Sequence, residues 1–228
     1  MKALISWSSG KDSAFALQAV RKAGTFEVVG ALTTVTETFG RVSIHGVREE
    51  ILRAQLDAAG LPPLIVPIPY PCPNEIYEQR MTEALAQVRQ RGVTHMIFGD
   101  LFLEDIRAYR EAKLAGTGIT PVFPLWQRPT AQLAREMIAS GLKARLATVD
   151  LAKLPASFAG REFDDALLAD LPDGVDPCGE NGEFHTCVTA APIFGRPLPV
   201  TPGEVVTRDG YAYCDLLLPG NAATRRAV

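Results

Sequence analysis

The 228-residue sequence predicts an α/β protein in which a parallel-sheet domain, covered by helices on both faces, is followed by a smaller C-terminal α+β domain. Three observations lead there. Apolar β-branched runs alternate with segments of helical apolar spacing, and each of the first three helical segments stops at a glycine. The chain closes with two short alternating runs joined by Asp209-Gly210, a strong hairpin signal.

The elements follow in order. "KALISW" reads as a strand, and residues 12–23 carry a helical apolar face that ends at Gly24, after which "FEVVGALTTV" is a second strand. Val47, Ile51, Ala54 and Ala58 mark the next helix, which stops at Gly60 before "PLIVPI". Tyr77, Met81, Leu85 and Val88 mark a third, which ends at Gly92 before "THMIFG". A helix over 103–115 and a short strand over 119–123 complete the alternation, and the boundary falls near Leu125, giving domains 1–125 and 126–228. Beyond it "TAQLAREMIASG" is a helix and "LKARLATVD" leads into a strand. From Leu154 the chain is rich in Gly, Pro and Asp, until "GEVVTRD" and "YAYCDLLL" supply the hairpin. Sequence leaves open whether these last strands pair within one chain or across a homodimer.

Hydrophobic residues at 47% and charged residues at 21% are those of a globular chain, so disorder is expected only in the tail "NAATRRAV". The net charge of −3 gives no electrostatic footprint for gripping nucleic acid. No run approaches the roughly 20 apolar residues of a membrane span, and "MKALISWSSGKDS" lacks a secretory apolar region. A cytoplasmic location follows as the expectation. Cys72, Cys178, Cys187 and Cys214 form neither a CxxC pair nor zinc spacing, and read as reduced thiols.

The chemistry concentrates in "WSSGKDS", where the first strand gives way to the first helix. In an open parallel sheet this turn is the usual phosphate cradle, because free N–H groups and the positive end of the helix dipole point at an anion. Ser8, Ser9 and Ser13 offer hydroxyls, Gly10 permits close backbone approach, and Lys11 adds positive charge. Asp12 would repel a phosphate unless it caps the helix or helps hold a divalent cation. A Walker A loop is excluded, since it needs glycine at Ile5. The plain alternative is a polar turn that caps a helix without a ligand. Asp100, at the carboxyl end of "THMIFG", lies on the same edge, as a functional carboxylate or a helix cap; Thr33 and Thr34 end the second strand, as pocket or ordinary strand residues.

"SSGKDS" resembles the pyrophosphate-binding PP-loop, usually SGGKDS, of ATP pyrophosphatases. With "FGDLFLEDIRAYRE", "PLW" at 124–126, "REMIASGLKARL" and "CGENGEFHT" at 178–186, the chain resembles the diphthine–ammonia ligase family over nearly its whole length up to Phe194. The resemblance implies a PP-loop, Rossmann-like nucleotide-binding fold and an amide ligase that uses ATP and Mg²⁺. Such an enzyme activates a carboxylate by adenylation, releases pyrophosphate and lets ammonia displace AMP. It implies nucleotide contacts from Ser8, Ser9, Gly10, Lys11, Asp12 and Ser13, joined by Thr33 and Thr34 through their place at the strand end, with Asp12 or Asp100 as a direct or water-mediated Mg²⁺ ligand. Ser9 departs from the usual glycine, which is tolerable with a negative φ. Glu180 and Glu183, in an irregular glycine-containing segment, are carboxylates able to bind ammonium or accept its proton; the alternative is a solvated acidic loop. His185 beside them, and His45 in "SIHGV", are catalytic or merely packed, and Arg107, Tyr109 and Arg110 contact substrate or form a solvated helix face. Lys11, Asp12, Asp100, Glu180, Glu183 and His185 make the expected catalytic set. The competing functions are an ATP-binding module without turnover and a PP-loop enzyme that modifies tRNA, to which Cys178 and Cys187 would contribute sulfur.

Overall fold

The computed structural model describes residues 1–219. The tail expected to be disordered lies outside them. Strands β1 (Lys2–Ser6), β2 (Glu27–Thr36), β4 (Pro63–Ile68), β5 (His95–Ile97) and β6 (Thr120–Val122) form a parallel sheet in the order β4-β2-β1-β5-β6. A two-residue strand, β3 (Arg41–Val42), pairs antiparallel with the end of β2. Helices α1 (Lys11–Ala23), α2 (Glu49–Ala59), α3 (Asn74–Gln90) and α4 (Glu104–Leu114) are interleaved with these strands. Gly24 and Gly60 are left-handed caps of α1 and α2, whereas α3 ends at Gln90 with Arg91 as its cap and Gly92, also left-handed, one residue further on.

Because the chain runs outward from β1 through β2 to β4 and then returns to β5 on the other side, the strand order reverses between β1 and β5. At such a switch point the connections after neighbouring strands leave toward opposite faces, so a crevice opens outside the carboxyl ends. Here those ends carry Trp7–Gly10 and Phe98–Asp100.

After α5 (Thr130–Ala139), a second sheet is antiparallel throughout, in the order β8-β7-β10-β9, with β7 Lys143–Asp150, β8 Phe184–Ala190, β9 Thr201–Arg208 and β10 Tyr211–Leu217. The hairpin forms within the chain, with Tyr211 opposite Arg208. Strand β8 is absent from the sequence reading, which ended its motif in an irregular segment at Thr186. Short helix α6 (Asp165–Asp170) is capped by the Asp164 carboxylate, which accepts from the Leu167 N–H at 2.8 Å. One continuous apolar cluster runs from Ile5, Trp7 and Leu17 through Ile51 and Leu133 to Leu146, Phe184 and Ala212, so both sheets share a core. Among the described residues no helix is long and apolar enough to cross a membrane.

Candidate functional site

The loop after β1 is shaped by its partners across the molecule. Trp7 N–H donates to the Leu32 carbonyl, extending the β1–β2 ladder, and the buried indole N–H donates to Gln55 Oε1 at 3.1 Å. The Gln55 amide in turn donates to the carbonyls of Ser9 and Val188, while the Val188 N–H donates to Ser9 O at 2.9 Å. These bonds draw the Ser9 carbonyl toward β8 and hold its φ at 68°, in the left-handed region. The negative φ under which serine is tolerated there is therefore not met. Its hydroxyl is buried and without a partner among the described residues. Gly10 precedes α1 in extended conformation, the Lys11 N–H donates to Thr186 Oγ1 at 3.0 Å, and Ser13 Oγ donates back to the Gly10 carbonyl. Gly99 presses against this first turn. A side chain there would put Cβ 2.8 Å from the Asp12 carbonyl carbon and the Ser13 nitrogen, so only glycine permits the approach.

Lys11 is 2% exposed, and its ammonium lies between the rings of Phe163 and Phe184, 5.5 and 5.3 Å from their centroids. It donates to Asp12 Oδ2 at 3.0 Å and to the Cys178 carbonyl. Burial opposes its charge, but Asp12, Cys178 and Glu180 outweigh that and hold its pKa above the ordinary lysine value. Burial raises the Asp12 carboxyl against the pull of Lys11. Asp12 Oδ1 is buried without a partner among the described residues.

The CGENGE segment is folded around Asp176, whose Oδ2 accepts the N–H groups of Cys178 and Glu180, both at 3.0 Å. Glu183 is buried behind it, with Oε1 accepting from the Asp176 N–H and the Asn181 amide. Glu180 instead reaches the crevice, where Oε1 accepts the Leu101 N–H at 2.7 Å. Burial pushes its carboxyl up to about 7. His185 stacks on His45, with ring centroids 4.5 Å apart, and burial lowers both, His185 to about 4. The pair is neutral at pH 7. The buried Cys178 and Cys187 thiols are also pushed up by burial, Cys187 to about 12, so neither is a thiolate of the kind sulfur transfer requires.

Two adjoining cavities fill the crevice. The first, about 200 Å³, is polar and brings together Ser8, Lys11, Asp12, Ser13, Asp100, Glu180 and His185. The second, about 270 Å³, is mainly apolar, with Leu32, Thr33, Thr34, Tyr77, Met81 and Met96 on its walls. Thr33 is committed to the fold, its hydroxyl donating to the Trp7 carbonyl at 2.7 Å. Ser9, Gly10 and Glu183 lie outside both linings and shape them from behind. Asp100 is clasped by Arg110, with Nε to Oδ2 at 2.6 Å and Nη2 to Oδ1 at 3.1 Å.

Sequence reasoning missed several lining residues. Ile44 projects at the rim, 77% exposed, in a γ-turn closed by the His45 N–H and the Ser43 carbonyl; its φ of 68° is strained for a β-branched side chain. The signal available was the "SIHGV" loop itself, singled out only for its histidine. Phe98 and Lys113 line the apolar cavity beside Tyr109, which the sequence offers as a substrate contact, and Thr186 closes the polar one.

Among the described residues no group of three or more His, Cys, Asp or Glu side chains is arranged to hold a metal ion. Mg²⁺ bound with a polyphosphate needs only one or two protein carboxylates. The unpartnered Asp12 Oδ1 fits that role, whereas both Asp100 oxygens are taken by Arg110.

Fold and site together define an α/β protein with a two-part ligand crevice at the switch point of a parallel sheet. Residues 129–216 match the family model described as diphthamide synthase C-terminal domain. Diphthine–ammonia ligases of Bos taurus and Homo sapiens are each 31% identical over 137 residues, which cover 58% of this chain and 51% of theirs. The Schizosaccharomyces pombe protein of that name is 31% identical over 103 residues, 43% of this chain and 17% of its own length. Over these stretches the chain is similar to diphthine–ammonia ligases. The chain spans about half the length of the bovine and human relatives it matches.

Proposed function

We propose that the chain is an ATP-dependent, AMP-forming amide ligase that activates a carboxylate as its acyl-adenylate and transfers the acyl group to ammonia, as the names of its relatives suggest for diphthine. The observation that carries the reading is the junction of an apolar cavity with a polar one lined by the Ser8–Ser13 loop. The first suits a nucleobase and the second a polyphosphate. The loop acts as a PP-loop. The N–H groups of Asp12 and Ser13 in the first turn of α1 and the Ser8 hydroxyl stabilise charge on the departing pyrophosphate, while the Ser13 hydroxyl holds the loop through the Gly10 carbonyl. Lys11 contributes its charge from behind, since its ammonium is engaged by Asp12 and the Cys178 carbonyl. Asp12 is the residue that would hold Mg²⁺, which supplies neutralisation of the phosphates when bound.

In the first step a substrate carboxylate oxygen attacks the α-phosphorus and the bond to the bridging oxygen of pyrophosphate breaks. In the second, ammonia attacks the acyl carbon, the bond to AMP breaks, and the surplus proton passes to Glu180. A carboxylate raised to about 7 is matched to that transfer near neutrality. Glu183 positions Glu180 by holding the loop between Asp176 and Asn181. The neutral His185 and His45 flank the cradle as hydrogen-bonding groups. Residues 1–125 bind the nucleotide, and 126–228 supply Glu180 and the acceptor side.

The test is turnover of α-labelled ATP with Mg²⁺, ammonium and a panel of carboxylates including diphthine-containing protein. AMP that appears only with an acceptor, and is lost in Asp12→Ala and Glu180→Gln proteins, supports the ligase. ADP as the main product overturns it.

A further inference from the structure

Arg110 is the one charged side chain, among the described residues, that lines both cavities; the other shared linings are Ser6, Ser8, Phe98 and the neutral His45. From this position, and resting on the nucleotide placement above, we propose that Arg110 grips the phosphate nearest the nucleoside, and that it does so by exchanging its bond to Asp100 for a bond to that phosphate.

With the base in the apolar cavity and the polyphosphate tail at the Ser8–Ser13 loop, the 5′-phosphate lies at the junction, where the guanidinium already sits. Its Cζ lies over the Phe98 ring, 4.5 Å from the centroid, and Phe98 itself lines both cavities. Two N–H groups fork onto Asp100, while Nη1 has no hydrogen-bond partner among the described residues. An arginine fork suits phosphate oxygens as well as it suits a carboxylate. Asp100 thus acts as a stand-in anion, holding Arg110 at the junction until a phosphate arrives. The exchange would also release a carboxylate beside Asp12 on the wall of the polar cavity.

The anchoring of α4 fits such an exchange. Only Leu114 of this helix is buried, and its ties include Arg107 over Phe123 and Trp126 at 4.9 and 4.7 Å and the Lys113–Glu78 pair. Arg110 can therefore shift without opening an apolar interface.

The decisive measurement is calorimetric binding of AMP and of adenosine in EDTA, where no metal role of Asp100 or Asp12 enters, to wild type, Arg110→Gln, Arg110→Lys and Asp100→Asn proteins. Arg110→Gln should weaken AMP by about tenfold or more, the usual cost of a charge-assisted bond, with adenosine affinity unchanged. Asp100→Asn, which frees Arg110 from its competitor, should bind AMP at least as tightly as wild type. Arg110→Lys should keep part of the preference for AMP over adenosine, and it serves where the glutamine variant does not fold. A purely structural ion pair predicts the reverse pattern, with both partners' variants losing AMP and adenosine alike, and that result overturns the proposal. So does wild type that binds AMP no more tightly than adenosine, or neither. Wild type with the expected binding pattern but no AMP formation from ATP would sustain Arg110 as a phosphate contact while the ligase reading fails.

Discussion

Ser9 is a non-glycine residue with φ of 68° and a buried hydroxyl that has no partner among the described residues. Left-handed backbone costs an L-residue about 1–2 kcal/mol, and glycine gives back about 0.5–1 kcal/mol through unfolded-state entropy. Ser9→Gly should therefore stabilise the protein by about 1 kcal/mol, measured by urea denaturation. Ser9→Ala removes the hydroxyl but keeps the strain, so it should recover less. A glycine variant no more stable than the alanine one would refute backbone strain as the cause. Nothing in "SSGKDS" could have revealed this φ, because it is imposed by Gln55 and Val188, 46 and 179 residues away. Lys11 was legible as a site residue, but its direction was not, since Phe163 and Phe184 hold it from the second sheet. Glu180 carries a pH signature. Its carboxyl is raised from 4.5 to about 7, so its favourable share of stability is complete below 4.5 and lost as pH rises through about 7. His185, lowered from 6.5 to about 4, acts oppositely, with stability present above 6.5 and lost as pH falls through about 4. The two offset each other over the shared acid range. Glu180→Gln should therefore gain stability relative to wild type between about pH 5 and about pH 8, as read by denaturation at both; a constant difference would contradict the raised carboxyl.

At the scale of elements, the helices divide into anchored and loosely held ones. Helix α1 buries seven side chains, including Phe15, Leu17 and Val20, whereas α4 buries only Leu114. Helix α3 is split. Val88 lies wholly in a core cluster with Leu4, Leu85 and Met81 belong to that cluster or pack against it while also lining the 270 Å³ cavity, and Tyr77 of the same apolar stripe faces the cavity. Helical spacing identified all four residues, but spacing cannot say whether a stripe ends in packed core or at a ligand cavity. That depends on α4 crossing nearby, tied to α3 by the Lys113–Glu78 pair. Strand β8 escaped notice for a related reason: its pairing and register come from β7, some 40 residues earlier, and the preceding glycines read as irregular. Local stability follows buried apolar contact. Amide hydrogen exchange should therefore be fastest in α4 and the first two turns of α3 and slowest in α1. Added ATP should slow α4 most, and equal protection of α1 and α4 without nucleotide would contradict this ranking.

At the scale of the molecule, the parallel sheet ends at Val122 and the antiparallel sheet starts at Lys143, yet the two sheets share a core. The apolar cluster is continuous across them, and polar ties reinforce it. Asp215 on β10 accepts from Arg41 of β3 at 2.9 Å and from Arg48, the residue before α2, through two bonds of 2.8 Å. Arg41 also donates to the Gly46 carbonyl, so this clamp fixes the loop that brings His45 and Ile44 to the crevice. Burial opposes the Asp215 charge, but the bonds from Arg48 and Arg41 hold its carboxyl below the ordinary value. Its contribution is thus present above pH 3.8 and lost as pH falls through the lower folded value. Asp215→Asn leaves two guanidiniums facing a neutral amide and should cost about 3 kcal/mol, lowering the thermal midpoint by about 6–12 °C for a chain of this size. Because the core is shared, the loss should fall on both sheets together. In a Trp126→Phe background, which leaves Trp7 at the parallel sheet as the one indole, fluorescence and far-ultraviolet circular dichroism should give one coincident transition with and without Asp215→Asn. A variant in which the antiparallel sheet melts first, leaving the Trp7 signal at its wild-type midpoint, would show that the sheets fold independently and that the clamp merely docks them.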